Sequence, residues 1–159
     1  MDNVGIIGMG VMGSTVAKKL IENGKHIIAF DTYEPSIARA GDIGAQIASN
    51  IPEVAERADV VFMFLPGPTE VVQCVSGDEG LLMSARQDLI IIDFSTVDPH
   101  TSSSMAEISR ARGIGYLDAP VLGRPATVGK WALPVGGEKA VLDKCMNMLQ
   151  IIAANIIHI

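Results

Sequence analysis

Cysteine is nearly absent. The two present in 159 residues, Cys74 and Cys145, lie far apart, and neither has a Cys-x-x-Cys partner. A disulfide framework and a dithiol redox motif are thereby excluded, and both thiols are expected to be buried and reduced in a cytoplasmic protein. Nothing in the chain has metal-ligand spacing. Positive charge is also in short supply, with 12 Lys and Arg against 18 Asp and Glu and a net charge of −6. No basic stripe interrupts that balance, so nucleic acid is not an expected partner. No apolar run reaches the roughly 20 residues that cross a bilayer. Asp2 and the early glycines argue against a signal peptide.

What is plentiful is apolar surface. Hydrophobic residues make up 48% of the chain and its mean hydropathy is +0.35. The length suits one domain, residues 1–159, able to bury roughly 70% of its unfolded surface. Such a composition fits strands buried on both faces. It also fits a chain that exposes a patch where another domain would sit.

Apolar runs predict strands at 3–8, 26–31, 44–49 (weakly), 59–66, 88–95, 114–121, 131–137 and 155–159. Helices fall between them at 12–23, 35–40, 52–58, 69–75, 98–112 and 138–149. The first helix shows the helical period in Met12, Val16 and Leu20, joined by Ala17 or Ile21. Gly24 suits the left-handed position past its end. Pro35 suits a first turn, Ser49 or Asn50 a cap, Thr69 another, and Asp98-Pro99 a helix start. Pro134 removes a ladder donor, which places its strand at an edge or a bulge. Strands and helices in alternation predict an α/β fold, a Rossmann-type doubly wound, mostly parallel sheet.

The segment "GMGVMG" sets Gly8, Gly10 and Gly13 at Gly-x-Gly-x-x-Gly spacing, with Met9, Val11 and Met12 between them. It follows the first strand, opens the first helix and precedes an acid, Asp31, at the end of the second strand. Those are the three conditions for a dinucleotide site. Gly8 allows the tight turn, Gly10 lets a pyrophosphate approach the backbone, and Gly13 lets helix and strand pack closely. The helix N-terminus offers free N–H groups and a partial positive charge. Asp31 accepts from ribose hydroxyls and repels a 2′-phosphate. Thr32 and Tyr33 follow it where an arginine would reverse that choice, so NAD is expected ahead of NADP. FAD enzymes and methyltransferases share parts of this fingerprint, and a plain tight turn is the bland alternative.

Three later segments join the triplet in order and spacing: "FLPGPTEV", "IDFSTVDP" and "LDAPVLG…G…VGG". Together the four resemble the N-terminal domain of the β-hydroxyacid dehydrogenases over nearly the whole chain. That group includes 3-hydroxyisobutyrate dehydrogenase, 2-hydroxy-3-oxopropionate reductase and 6-phosphogluconate dehydrogenase, with imine reductases more distant. The resemblance implies that Leu65 and Pro66 line the adenosine-ribose and pyrophosphate side. Ser95 and Thr96 would reach toward the nicotinamide. Residues 118–124, "DAPVLGR", match the family's substrate-carboxylate loop, which usually reads Asp-Ala-Pro-Val-Ser-Gly-Gly. Here Leu122 replaces the serine, Gly123 is kept, and Arg124 replaces the second glycine. Leu122 donates no hydrogen bond. Arg124 is either a bidentate carboxylate partner in its place or a solvent-facing side chain.

The family's proton-transferring lysine follows this domain, on a helix introduced by Gly-x-x-Gly-x-Gly, and its all-α second domain closes the active site and makes most of a dimer. The resemblance therefore implies a separate or missing all-α partner, a homodimer as one assembly, and no catalytic residue within these 159. Lys130 reads as a solvated lysine. His26, His100 and His158 do not replace the donor, His100 being the nearest to the cofactor side. Two readings result. One is the cofactor half of an NAD-dependent enzyme that moves a hydride between nicotinamide and a small hydroxyacid or semialdehyde, inactive alone. The other is a stand-alone NAD-binding sensor. An imine-reductase-like enzyme is a third variant.

Overall fold

The apolar runs become strands because water is kept from both of their faces. A computed structural model describes residues 1–159. In chain order its elements are β1 (Asn3–Ile7), α1 (Val11–Glu22), β2 (His26–Phe30), α2 (Glu34–Asp42), β3 (Gln46–Ile47), α3 (Ile51–Arg57), β4 (Val60–Met63), α4 (Pro68–Ser76), β5 (Ile90–Asp93), α5 (Pro99–Arg110), β6 (Gly115–Asp118), β7 (Trp131–Gly137), α6 (Lys139–Leu149) and β8 (Ala153–His158). Short 3₁₀ turns at Leu81–Met83 and Pro125–Thr127 complete it. The eight strands form one sheet in the order β3-β2-β1-β4-β5-β6-β7-β8.

One core lies between the sheet and α1 and α6, with Val16, Leu20, Leu142 and Leu149 packed on Val4, Ile6 and Phe62. The other lies under α3, α4 and α5, where Val54, Val71, Cys74 and Met105 cover Val61, Met63 and Ile91. Each large aliphatic side chain so buried contributes about 1.5–3 kcal/mol. The two layers therefore fix where the carboxyl ends of the strands lie. β2 and β3 extend one way from β1, while β4 starts the other half on its opposite side. Ligands of doubly wound sheets bind outside that point of reversal.

Every pairing is parallel except β6 with β7. The link from β6 to β7 carries only a 3₁₀ turn, too little for a crossover, so the chain returns antiparallel. The strand holding Pro134 is thus internal, between β6 and β8, and not an edge. Proline is tolerated there for a local reason. The Val135 carbonyl accepts from Ile159 on the β8 side, while Ala132 exchanges both its bonds with Leu122 on the other side. Pro134 shares the orientation of Ala132, and on that side the ladder resumes only at Gly136–Gly137. The one register shift lies between Trp131 and Ala132.

Helix caps follow the sequence in two places and depart from it in one. Asn50 accepts from the Glu53 amide at 2.8 Å and Asp98 from the Thr101 amide at 2.9 Å. At α4 the N-cap is Gly67, not Thr69, because Pro68 already takes the first helical position. β4 also stops at Met63, three residues before Pro66, which frees Phe64–Pro66 to form a loop. Both cysteines are buried and unpaired, with the Cys145 thiol pushed up to about 11 mainly by burial. No helix is long and apolar enough to cross a membrane.

Candidate cofactor site

Gly8 leaves β1 at φ +94°, in the left-handed region that disfavours a side chain. A Cβ there would stand 2.1 Å from the Phe64 carbonyl oxygen, and one on Gly13 would stand 1.9 Å from the Gly8 carbonyl oxygen. These two glycines let strand, loop and helix touch. Gly10 differs, because a Cβ on it would meet nothing within 4 Å. The space above Gly10 is open, and Gly10 is also the N-cap of α1, with no side chain closing the helix end. The first intrahelical bond runs from the Ser14 amide back to Gly10, at 3.0 Å. The earlier amides, from Val11 to Gly13, remain for an anion. The residues present thus fit the diphosphate of a dinucleotide.

Asp31 anchors this loop. Its carboxylate accepts from the Met9 amide at 2.7 Å and from the Tyr33 amide at 2.9 Å. Each oxygen keeps a further lone pair for a ribose hydroxyl. Of the loop residues expected at the cofactor, Met9 is the exception in kind. Its side chain lies in the core and its amide is engaged by Asp31. Met12 packs partly against the same core, and Val11 is exposed.

A cleft of about 870 Å³ opens at this point and brings Gly8, Gly10, Asp31, Thr32, Leu65 and Pro66 together. Four acids line it (Asp31, Glu70, Asp78 and Glu79) and no base does. Glu70, Gln73 and Cys74 were not foreseen as lining residues. They recur at i, i+3 and i+4 on α4, the spacing of one helical face, and that was the readable signal. Arg39 was also missed. From α2 its guanidinium returns to the glycine loop, with Nη1 3.4 Å from the Met9 carbonyl oxygen.

Ser95 and Thr96 stand outside the cleft lining and play different parts. Ser95 is buried, and its Oγ accepts from the Leu65 amide at 2.9 Å, tying the loop after β5 to the loop after β4. Thr96 is exposed. Phe64 stacks on Phe94 with ring centroids 4.9 Å apart, a second tie between the same loops.

The 118–124 loop is built around a tryptophan. A Cβ on Gly123 would stand 2.2 Å from Trp131 Cδ1, so this glycine admits the indole ring. Trp131 Nε1 donates to the Arg124 carbonyl at 2.8 Å. Leu122 is 62% exposed, and the exposed Arg124 guanidinium pairs with no acid. Neither side chain reaches the cleft lining. A second cavity, about 750 Å³, lies at the opposite rim between α5 and α6, beside Gly113–Tyr116. It is away from the carboxyl ends of the parallel strands.

Known proteins agree with this geometry. Residues 3–159 match the family described as the NAD binding domain of 6-phosphogluconate dehydrogenase. The chain is 34% identical to 2-(hydroxymethyl)glutarate dehydrogenase of Eubacterium barkeri, over 98% of this chain and 52% of that protein. It is 32% identical to mitochondrial 3-hydroxyisobutyrate dehydrogenase of Mus musculus, over 98% and 47%. The structure of Mycobacterium tuberculosis 3-hydroxyisobutyrate dehydrogenase with L-serine superposes with a TM-score of 0.93 at 28% identity, covering 99% of this chain and 54% of that one. The chain spans about half the length of the curated relatives it matches. With the glycine loop, the anchoring aspartate and the sheet order in place, the chain belongs to the β-hydroxyacid dehydrogenase family, as its N-terminal NAD-binding domain.

Proposed function

We propose that the cleft binds NAD in preference to NADP, with the diphosphate over Gly10 and the amides that open α1. The observation that carries this reading is the Asp31 carboxylate, held at the cleft by the Met9 and Tyr33 amides. It stands among three further acids, a field that disfavours a 2′-phosphate. When bound, the nicotinamide would supply or accept a hydride. The partner we propose for it is a small hydroxyacid or semialdehyde of the 3-hydroxyisobutyrate or 2-hydroxy-3-oxopropionate type, with Arg124 as a carboxylate contact. Reduction of a carbonyl also needs a proton donor, and no lysine or histidine lines the cleft. The donor is therefore proposed to be the family lysine, supplied by the all-α partner together with the rest of the active site. A homodimer formed through that partner and a cytoplasmic setting complete the proposal.

Arg39 supports a second reading, in which NADP is also accepted, since its guanidinium lies beside the same loop. Calorimetry separates the two. NADH is expected to bind at least about tenfold more tightly than NADPH, a difference of 1.4 kcal/mol. Tighter NADPH binding that is lost in Arg39→Ala would overturn the Asp31 argument. The purified chain is expected to form no NADH from NAD and 3-hydroxyisobutyrate. Steady formation would place a proton donor within these residues.

A further inference from the structure

The last residues of β1, β4, β5 and β6 form a row across the sheet, Ile7, Met63, Asp93 and Asp118, in register. The first two are apolar, as the covering helices demand. The third is an aspartate with no exposed surface. A buried carboxylate is unfavourable unless donors surround it, and the packing of this layer is satisfied by Ile or Met one and two strands away. The acid must therefore serve something other than the core.

Its partners indicate what. Asp93 Oδ2 accepts from the Tyr116 hydroxyl of β6 at 2.9 Å, and Oδ1 accepts from the Ser95 amide at 2.9 Å. The Ser95 hydroxyl oxygen then accepts from the Leu65 amide. A continuous chain of hydrogen bonds thus runs from β6, through the end of β5, to the loop after β4 that walls the cleft. Burial pushes the Asp93 carboxyl up, and the Ser95 and Tyr116 donors pull it back. The other groups facing it are the Cys74 thiol of α4, itself pushed up by burial and by Asp93, and Asp118 of β6.

We propose that Asp93 and Tyr116 are positioning residues, which hold Ser95 against Leu65 and so set how far the loop after β5, on the nicotinamide side, stands from the cleft wall that Leu65 forms. The inference rests on the cofactor reading above. In a doubly wound sheet the two halves of a dinucleotide lie on either side of the point of reversal. Asp31 marks the adenosine half beside β2 and shares its cleft with Leu65 of the loop after β4, which leaves the loop after β5 to the other half. The Phe64–Phe94 stack on the opposite face of the sheet does not involve Tyr116. Loss of the hydroxyl therefore loosens the loops without unfolding them.

The test uses AMP and NADH as calorimetric probes of the chain, together with thermal melts. In Tyr116→Phe, NADH binding is expected to weaken about tenfold while AMP binding stays within about twofold. Ser95→Ala, which removes the acceptor for Leu65, is expected to give the same split. Unchanged NADH binding in both variants would overturn the proposal. So would an equal weakening of AMP and NADH accompanied by a fall in Tm, the mark of a merely structural role. Failure of the cofactor reading would appear differently, as no binding of either probe to the unsubstituted chain.

Discussion

The glycine loop at 8–13 and the loop at 118–124 both leave a parallel strand at its carboxyl end, and both use glycine for close contact. In the first, the glycines serve two ends. Gly8 and Gly13 let backbone meet backbone, and Gly10 leaves a space open. In the second, Gly123 makes room for a side chain of the protein itself, Trp131. The two loops thus suit different kinds of contact. A diphosphate is held by backbone amides and a helix end, so three glycines and an acid suffice to announce it. A substrate is chosen by side chains, and in this loop Leu122 stands where the resemblance expects a serine and Arg124 where it expects a glycine.

The largest effect is expected at Gly13. Gly13→Ala would press its Cβ into the Gly8 carbonyl oxygen, which cannot move without displacing β1. A loss of about 3 kcal/mol of stability is expected, read in denaturant titrations, together with loss of NADH binding. Gly123→Ala sharpens the contrast. Trp131 is fully buried and cannot swing away, so a loss of about 2 kcal/mol is expected. Cofactor affinity, measured by NADH fluorescence, should be unchanged. A Gly123→Ala chain that is stable but binds NADH poorly would show that the two loops form one site.

The smallest effect concerns Asp118, which opens the second loop. Burial first, and then the neighbouring Asp93, hold its carboxyl above the usual carboxylate range. The folded state therefore disfavours the ionised form, and the penalty applies above the folded pKa and is relieved as pH falls through it. Asp118→Asn should accordingly raise Tm near neutral pH by about 2 °C. The gain should shrink as pH falls and vanish below about pH 3, where the wild-type acid becomes protonated in both states. A gain that persisted at low pH would mean that packing, not charge, was responsible.

Much of the fold was legible because periodicity and buried runs dictate it. The glycine loop between β1 and α1, the acid that follows β2 and the Asp98 cap stood in the sequence as they stand in the structure. The antiparallel return of β7 was less legible, since an apolar run does not state its direction. The link before it does, since it is too short to hold a crossover helix. Ser95 was placed at the cofactor by resemblance, yet its oxygen accepts from Leu65, a partner 30 residues away that no local pattern reveals. Arg39 was not legible because it lies 30 residues from its partner Met9 and reaches it only through the fold. A helix can return a long side chain to the loop that precedes it from several residues further on. Gly123 belongs to the expected substrate loop by resemblance, and its packing against a tryptophan eight residues later is a tertiary contact that no local pattern reveals.

Gly10 is the glycine whose missing side chain the fold itself does not require. The direct measurement is a paired thermal melt and NADH titration of Gly10→Ala. The added methyl meets no protein atom within 4 Å, so the predicted result is an unchanged Tm with NADH binding weakened at least about tenfold. Unchanged NADH affinity would contradict the placement of the diphosphate over this loop.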